Sequence, residues 1–134
     1  MNKFFVFDTN TLISAVFNEN SPPALALKKA RTIGTLLVSD EITAEYLMVF
    51  AREKFNRWLS LEIRIAFIEN IISNALPIQI VENIQECRDP KDDKYLSLAV
   101  SAQADAIITG DNDLLVMNPF RQIPILNASN FLLL

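Results

Sequence analysis

The hydrophobic and polar positions of this chain alternate between short apolar runs and longer segments that carry one apolar face. A solid apolar run begins at residue 4, and shorter runs recur along the chain. Such runs are typical of buried strands, and the segments between them have helical spacing. The predicted strands cover residues 3–7, 35–38, 77–81, 106–109 and 123–126. The predicted helices cover residues 11–17, 21–31, 39–55, 59–74 and 89–103.

Strands that alternate with helices in this way predict an α/β fold with a mostly parallel sheet. We expect a single domain over residues 1–134, built as a three-layer α/β/α sandwich around four to five strands. Ligands of such sheets bind beyond the carboxyl ends of the strands. The residues that follow each strand are therefore the first candidates for chemistry.

The composition narrows the chemistry further. The chain has 134 residues, one cysteine, no histidine and a net charge of −4. A single cysteine excludes an internal disulfide, and the lack of histidine excludes Ser-His and Cys-His catalysis. No apolar run approaches the ~20 residues that span a bilayer, and no signal pattern precedes the first strand. We therefore expect a cytoplasmic protein with no membrane segment.

Asp8 directly follows the first predicted strand, so it lies at the carboxyl edge of the sheet. Aspartate is also a preferred helix N-cap, and this role alone explains its presence. Thr9 and Asn10 are equally good caps, however, which leaves Asp8 available for another role.

Glu45 lies on the apolar stripe of the third predicted helix. Ile42, Tyr46 and Val49 define that stripe at helical spacing. A glutamate on such a face must reach solvent, form an ion pair or bind a ligand, because burying a bare carboxylate is unfavourable. We favour a functional role over a carboxylate that bends to solvent.

The run RDPKDDK at residues 88–94 contains three further acids. Asp89 before Pro90 is a typical N-cap followed by proline at the first helical position. Asp92 also suits the first turn, and Asp93 lies on the face of the apolar residues that follow it. Periodicity alone does not separate Asp92 from Asp93.

A second acidic strand end is TGDND at residues 109–113. Turn formation explains these residue types, but Asp111 again follows a predicted strand. Asp8, Glu45, Asp111 and one acid of the 89–93 run are thus expected at one edge of the sheet. Carboxylates in such proximity need a counter-charge. An all-oxygen site suits Mg²⁺ or Mn²⁺ better than zinc.

These stretches resemble a known family. FDTN at residues 7–10, Glu45 within SDEITAEYLMV, and RDPKDDKYLSLAVSAQADAIITGDNDLL at residues 88–115 resemble the PIN domain. Within it, the chain is most similar to the VapC-type ribonucleases, the toxins of type II toxin–antitoxin pairs. The resemblance covers essentially the whole chain.

The resemblance implies a metal-dependent endoribonuclease that binds Mg²⁺ or Mn²⁺ and cleaves RNA phosphodiester bonds. It implies a small antitoxin as partner and a homodimer. It places the four acids that bind the metal and act in catalysis on Asp8, Glu45, Asp93 and Asp111, with Glu45 or Asp93 as acceptor of the proton from the attacking water. Supporting polar residues are expected at Thr9, Asn10, Ser39, Thr109 and Asp113.

Other functions remain open at this point. A phosphatase with an aspartyl nucleophile usually has a second aspartate two residues later, where this chain has Asn10. A non-catalytic scaffold that binds RNA or a partner usually lacks some of the acids, and flap-type DNA nucleases are longer chains.

Two further features leave alternatives open. Seven bases, at positions 28, 29, 31, 52, 54, 57 and 64, either contact RNA phosphates or form ordinary solvated helix faces. The apolar residues 131–134 form either an end strand or an interface.

Overall fold

The computed structural model describes residues 2–134, and the strands assemble into one five-stranded parallel sheet with the order β3-β2-β1-β4-β5. The strands are β1 (Lys3–Phe7), β2 (Gly34–Val38), β3 (Leu76–Pro77), β4 (Ala106–Ile108) and β5 (Ile125–Leu126). The helices are α1 (Thr9–Phe17), α2 (Pro22–Ile33), α3 (Asp40–Phe50), α4 (Leu61–Asn74), α5 (Asp93–Ala102), α6 (Asn112–Leu115) and α7 (Ala128–Leu132). The predicted α/β class with a parallel central sheet is confirmed.

Strand β1 lies at the centre of the sheet and is covered on both faces. Phe5, Val6 and Phe7 are at most 2% exposed, and alternate residues of a strand point to opposite faces. Gly34 pairs with Lys3 in the register of β1 and β2, and the two residues lie very close together. A Cβ atom at Gly34 would lie 2.1 Å from the Lys3 carbonyl oxygen. Only glycine fits this pairing of β1 with β2.

Serine caps fix where three helices begin. The hydroxyl of Ser21 accepts from the backbone N–H of Ala24 ahead of α2, and Ser39 does the same for Ile42 in α3 (3.2 Å). Ser60 caps α4 in the same way. These bonds satisfy backbone donors that have no partner inside the first turn.

Several predicted boundaries are wrong. Helix α3 ends at Phe50 rather than near residue 55, and a separate 3-10 turn follows at Glu53–Phe55. The predicted strand over 77–81 is the two-residue β3, and the predicted helix over 89–103 is a 3-10 turn (Pro90–Asp92) followed by α5. Helix α6 lies in a region for which only a turn was expected.

Of the C-terminal apolar residues 131–134, Phe131 and Leu132 form the end of α7, and none of the four lies in a strand. Phe131 is buried, and its ring packs edge-on against Phe5 with the ring centroids 5.2 Å apart. Leu133 and Leu134 are exposed. This part of the chain therefore both closes the core and leaves two apolar side chains at the surface.

Candidate metal and active site

Asp8 is buried at the end of β1 and caps α1. Its Oδ1 accepts a hydrogen bond from the backbone N–H of Thr11 (2.9 Å), and its Oδ2 accepts one from the hydroxyl of Thr109. Burial raises the pKa of Asp8 although these donors lower it, and the nearby Asp111 carboxylate adds to the rise. Asp8 lies at the carboxyl edge of the sheet, as predicted, and its burial opposes the ionised form.

Asp111 lies at the equivalent place after β4, where it caps the short helix α6. Its Oδ1 accepts from the backbone N–H of Asp113 (2.8 Å), and its own N–H donates to the Thr109 hydroxyl oxygen (3.0 Å). Thr109 therefore links the two strand ends, since the same hydroxyl donates to Asp8. This bridge is the contact that Thr109, which was predicted as a supporting residue, makes in the structure.

Glu45 reaches the same cleft from α3 and is held by three donors. Its Oε2 accepts from the hydroxyls of Thr9 (2.5 Å) and Tyr95, and its Oε1 pairs with Lys94 Nζ at 2.9 Å. Partial burial raises the pKa of Glu45, but the hydrogen bonds from Thr9, Tyr95 and Lys94 outweigh it, so the pKa is lowered. These three donors hold Glu45 in place and favour its ionised form.

Asp92, and not Asp93, lines the cleft with the other acids. The Asp93 carboxylate accepts instead from the backbone N–H groups of Glu86 (3.2 Å) and Cys87 (2.8 Å), and it lines a neighbouring groove. The structure thus does not bring Asp93 to the group, contrary to expectation. Successive residues of a helical turn point ~100° apart, so a one-residue difference moves the carboxylate to another face.

The carboxyl of Asp92 has a strongly raised pKa. Burial first, and then the adjacent Asp111 carboxylate, raise its pKa to about 7. Its Oδ2 is buried and has no hydrogen-bond partner among residues 2–134. One carboxylate oxygen each of Asp89, Asp92 and Asp113 also lies within 4.8 Å of the other two. Asp92 therefore connects the acids at the strand ends with a second acidic group.

Asp113 and Ser39 were both expected to support the site, but their contacts in the structure are of different kinds. Asp113 joins the acidic group at Asp92, while its Oδ1 also accepts from the guanidinium of Arg88 (2.9 Å). Ser39 caps α3 and lines the neighbouring groove together with Asp93. Ser39 was expected to support the site, and the contact it makes in the structure is that of a helix cap.

The acids lie between two connected parts of a surface cleft. Asp8, Asn10 and Asp111 line both parts. One part, of about 190 Å³, is also lined by the acids Glu45, Asp89 and Asp92 and by the bases Arg52 and Lys91. The other part, of about 470 Å³, has no charged lining residues within residues 2–134 apart from Asp8 and Asp111. Its lining includes the polar residues Ser14, Asn127 and Ser129. An extended ligand thus has room on both sides of the carboxylates.

Sequence reasoning missed Tyr95 and Lys94. The hydroxyl of Tyr95 contacts Glu45, exchanges a hydrogen bond with the Thr9 hydroxyl (2.8 Å) and accepts from the Thr9 backbone N–H (3.1 Å). A buried tyrosine hydroxyl needs a polar partner, so its place on the apolar face of the helix was a usable signal. Burial and the neighbouring Glu45 raise the pKa of Tyr95, so its hydroxyl stays protonated and donates.

The helices of residues 2–134 are all too short or too polar to cross a membrane.

Comparisons with known proteins agree with this architecture. The PIN domain family model matches residues 5–113. The uncharacterized protein MJ1680 of Methanocaldococcus jannaschii is 32% identical over 114 residues, which cover 82% of this chain and 72% of that protein.

Three solved structures share the fold. PAE2754 from Pyrobaculum aerophilum has a TM-score of 0.62 at 14% identity and covers 98% of this chain and 88% of its own. VapBC2 from Rickettsia felis, bound to a DNA fragment from its promoter, has a TM-score of 0.65 at 14% identity (92% and 98% covered). VapC20 from Mycobacterium tuberculosis, a sarcin-ricin loop cleaving toxin, has a TM-score of 0.54 at 12% identity (90% and 98% covered).

Proposed function

The chain belongs to the PIN domain family, and on this basis we propose that it is a divalent-metal-dependent endoribonuclease. The observation that carries the proposal is that Asp8, Asp92 and Asp111 line one cleft at the carboxyl edge of the sheet, where Asp92 also belongs to the close acidic group with Asp89 and Asp113. Raised pKa values at Asp8 and Asp92 indicate that this cleft favours added positive charge.

The donor set fits a hard divalent cation. All candidate ligand atoms are carboxylate oxygens, which Mg²⁺ and Mn²⁺ prefer, and the buried Asp92 Oδ2 has no partner among the described residues. Asp8, Asp92 and Asp111 would hold the ion, with Glu45 and Asp113 beside them. When bound, such an ion lowers the pKa of a water ligand and offsets the charge of a scissile phosphate.

The residues of the chain position this site. Thr109 ties Asp8 to the loop of Asp111, so both carboxylates keep their relative placement. Thr9 and Tyr95 orient Glu45. Because its pKa is lowered, Glu45 is a weak base, so we assign it to charge and positioning rather than to proton abstraction. Asn10 is exposed in the cleft and available to a phosphate oxygen.

We further propose that the protein is the toxin of a toxin–antitoxin pair, acting in the cytoplasm as a homodimer and inhibited by a small antitoxin. This extension is supported by the shared fold with VapBC2 and VapC20. Expression of the wild type should arrest bacterial growth, and expression of Asp8→Asn should not. Growth unaffected by an active nuclease would contradict the toxin role.

The enzymatic proposal is tested with a labelled single-stranded RNA and Mn²⁺. The wild type should cleave it, chelation should stop cleavage, and Asp8→Asn, Asp92→Asn and Asp111→Asn should each lose nearly all activity. Asp93→Asn is the matched control and should retain it, because its carboxylate contacts only the backbone of the neighbouring groove.

The rival functions have distinct outcomes in the same assay. Phosphate release from a small phosphate ester, without RNA cleavage, would indicate a phosphatase. Preferred cleavage of flapped DNA would indicate a DNA nuclease. RNA binding without any metal-dependent cleavage would indicate a scaffold.

A further inference from the structure

The segment between α3 and α4, residues 51–60, presents an aromatic side chain to solvent. Trp58 is 62% exposed, and it is the only tryptophan of the chain. The guanidinium of Arg57 lies over its ring at 4.9 Å from the centroid. An exposed tryptophan stacked with arginine is a common arrangement in sites that bind single-stranded nucleic acid.

The ring of Trp58 is supported from α1. Phe17, at the end of α1, meets Trp58 edge-on with centroids 6.4 Å apart, and Phe17 also contacts Phe55 at 5.4 Å. The three rings form one cluster, which we call the aromatic platform: Phe17, Phe55 and Trp58. This contact holds Trp58 in place while leaving most of its surface to solvent.

The same segment concentrates positive charge. It contains Arg52, Lys54 and Arg57 and only one acid, Glu53, in a chain whose net charge is −4. Among the salt bridges within residues 2–134, none involves these three bases. Their charges are therefore available to an anionic ligand.

Most of the other bases between residues 28 and 64 form hydrogen bonds with other parts of the protein. Lys29 Nζ donates to the carbonyl oxygens of Phe131 (2.9 Å) and Leu134 (2.7 Å), and Arg31 donates to Asn70 Oδ1 (2.9 Å). Lys28 is exposed on α2, outside the segment. Apart from Lys28, the bases of this region that have no such partners within residues 2–134 thus lie in the segment that carries the aromatic platform.

Arg64 fixes the shape of the segment from inside the protein. It is fully buried, and its guanidinium donates to four oxygens: the carbonyls of Phe50 (2.8 Å), Arg52 (3.1 Å) and Leu59, and Asn56 Oδ1 (2.9 Å). These acceptors lie at the end of α3 and along the segment. The bases and the platform are therefore presented in one conformation before any ligand binds, which reduces the entropy lost on binding.

The segment that carries the platform reaches the acidic cleft at Arg52. Arg52 and Asn10 both line the cleft, and Phe17 follows Asn10 on the same helix. At a rise of 1.5 Å per residue, Phe17 lies about 10 Å along the axis from Asn10. A strand of a few nucleotides is long enough to occupy both places.

We propose that the aromatic platform is a subsite for single-stranded RNA, in which a base stacks on Trp58 and the flanking phosphates contact Arg52, Lys54 and Arg57. This inference rests on the proposed ribonuclease function and names the surface that holds the substrate strand beyond the cleaved bond. Arg64 acts as a positioning residue for this surface.

The fluorescence of Trp58 reports directly on ligand binding at the aromatic platform. Binding of a single-stranded RNA oligonucleotide to Asp8→Asn, without divalent metal, should quench the tryptophan fluorescence in a saturable way. Arg64→Lys should weaken the quenching without abolishing RNA affinity, because the bases remain but the segment is less ordered. No quenching at RNA concentrations that saturate binding in a filter assay would overturn the proposal.

Substitutions separate stacking from charge. Trp58→Ala should weaken RNA binding about fivefold to a hundredfold, as for loss of one stacked base, and Trp58→Phe should restore most of it. Arg52→Gln, Lys54→Gln and Arg57→Gln should each lower the slope of log affinity against log salt by about 0.7. Lys28→Gln, on α2, is the matched control and should leave the slope unchanged. Equal binding by Trp58→Ala and wild type would contradict the subsite.

Cleavage kinetics keep this inference separate from the ribonuclease proposal. With Mn²⁺ and a long RNA, Trp58→Ala should raise KM with little change in kcat, since the platform residues do not line the cleft that contains the acids. A wild type that quenches with RNA but never cleaves it would refute the ribonuclease while the subsite stands. Cleavage with no response to Trp58→Ala would refute the subsite alone. A concentration-dependent blue shift without RNA would show that a second copy of the chain covers Trp58.

Discussion

Replacing Asp92 by asparagine should stabilise the metal-free protein at high pH. The Asp92 pKa is about 7 in the folded protein against an ordinary value of 3.8, because burial and the Asp111 carboxylate disfavour the ionised form. Below a pH of 3.8, the Asp92 carboxyl is protonated in both the folded and the unfolded state, so its titration does not change the stability. As the pH rises towards 7, the unfolded chain ionises first, so the folded state loses stability, and above about 7 this loss is complete.

The magnitude follows from the two values. The difference between 3.8 and about 7 corresponds to at most about 4 kcal/mol of unfolding free energy. The side chain is only partly buried and solvent screens it, so we expect about 1–2 kcal/mol. The free energy of unfolding of Asp92→Asn should exceed that of the wild type by this amount at a pH of about 8, and the two values should be equal at a pH of about 4.

The assay is urea denaturation in chelator, followed by tryptophan fluorescence. Asp93→Asn is the matched control: its side-chain oxygen still accepts from the backbone N–H groups of residues 86 and 87, so its free energy of unfolding should change by less than about 1 kcal/mol. The reasoning would be refuted if Asp92→Asn and the wild type had the same stability at both pH values.

Two further changes test the architecture. Arg64→Met should lower the free energy of unfolding by about 3–5 kcal/mol, because it leaves several carbonyl groups without donors. Urea denaturation measures this loss. The role of Arg64 would be contradicted if Arg64→Met lowered the urea midpoint by less than Arg64→Lys does. Thr109→Val keeps the side-chain shape but removes the bridge between Asp8 and the Asp111 backbone, so Mn²⁺ affinity, measured by calorimetry, should fall about 10–100-fold. Unchanged affinity would mean that the bridge does not position the acids.

Much of the fold and site was predictable because local signals agreed with the tertiary structure. Asp8 and Asp111 follow strands in the sequence, and parallel strands bring their carboxyl ends to one edge. Glu45 was detectable as a carboxylate on an apolar stripe, and in the structure it reaches the cleft between Thr9 and Tyr95.

The choice between Asp92 and Asp93 was not predictable from spacing. A 3-10 turn precedes α5, and it changes which residue faces the cleft. The backbone N–H groups that hold Asp93 come from a segment without regular structure, whose path the apolar pattern does not predict.

The end of α3 was missed for a related reason. Apolar residues continue past Phe50 at helical spacing, but Arg64 from the next helix binds the carbonyls of Phe50 and Arg52. A contact between residues that are distant in the chain therefore overrides the local helical pattern. The same contact creates the segment that carries Trp58.

The central claim is that Asp8, Asp92 and Asp111 together bind a divalent cation. Isothermal titration of the folded protein with Mn²⁺ tests it most directly, with circular dichroism as a check that each variant is folded. We predict saturable Mn²⁺ uptake by the wild type and Asp93→Asn, and loss of uptake in Asp92→Asn. Uptake by Asp92→Asn with loss in Asp93→Asn, or no uptake by the wild type, would contradict the account.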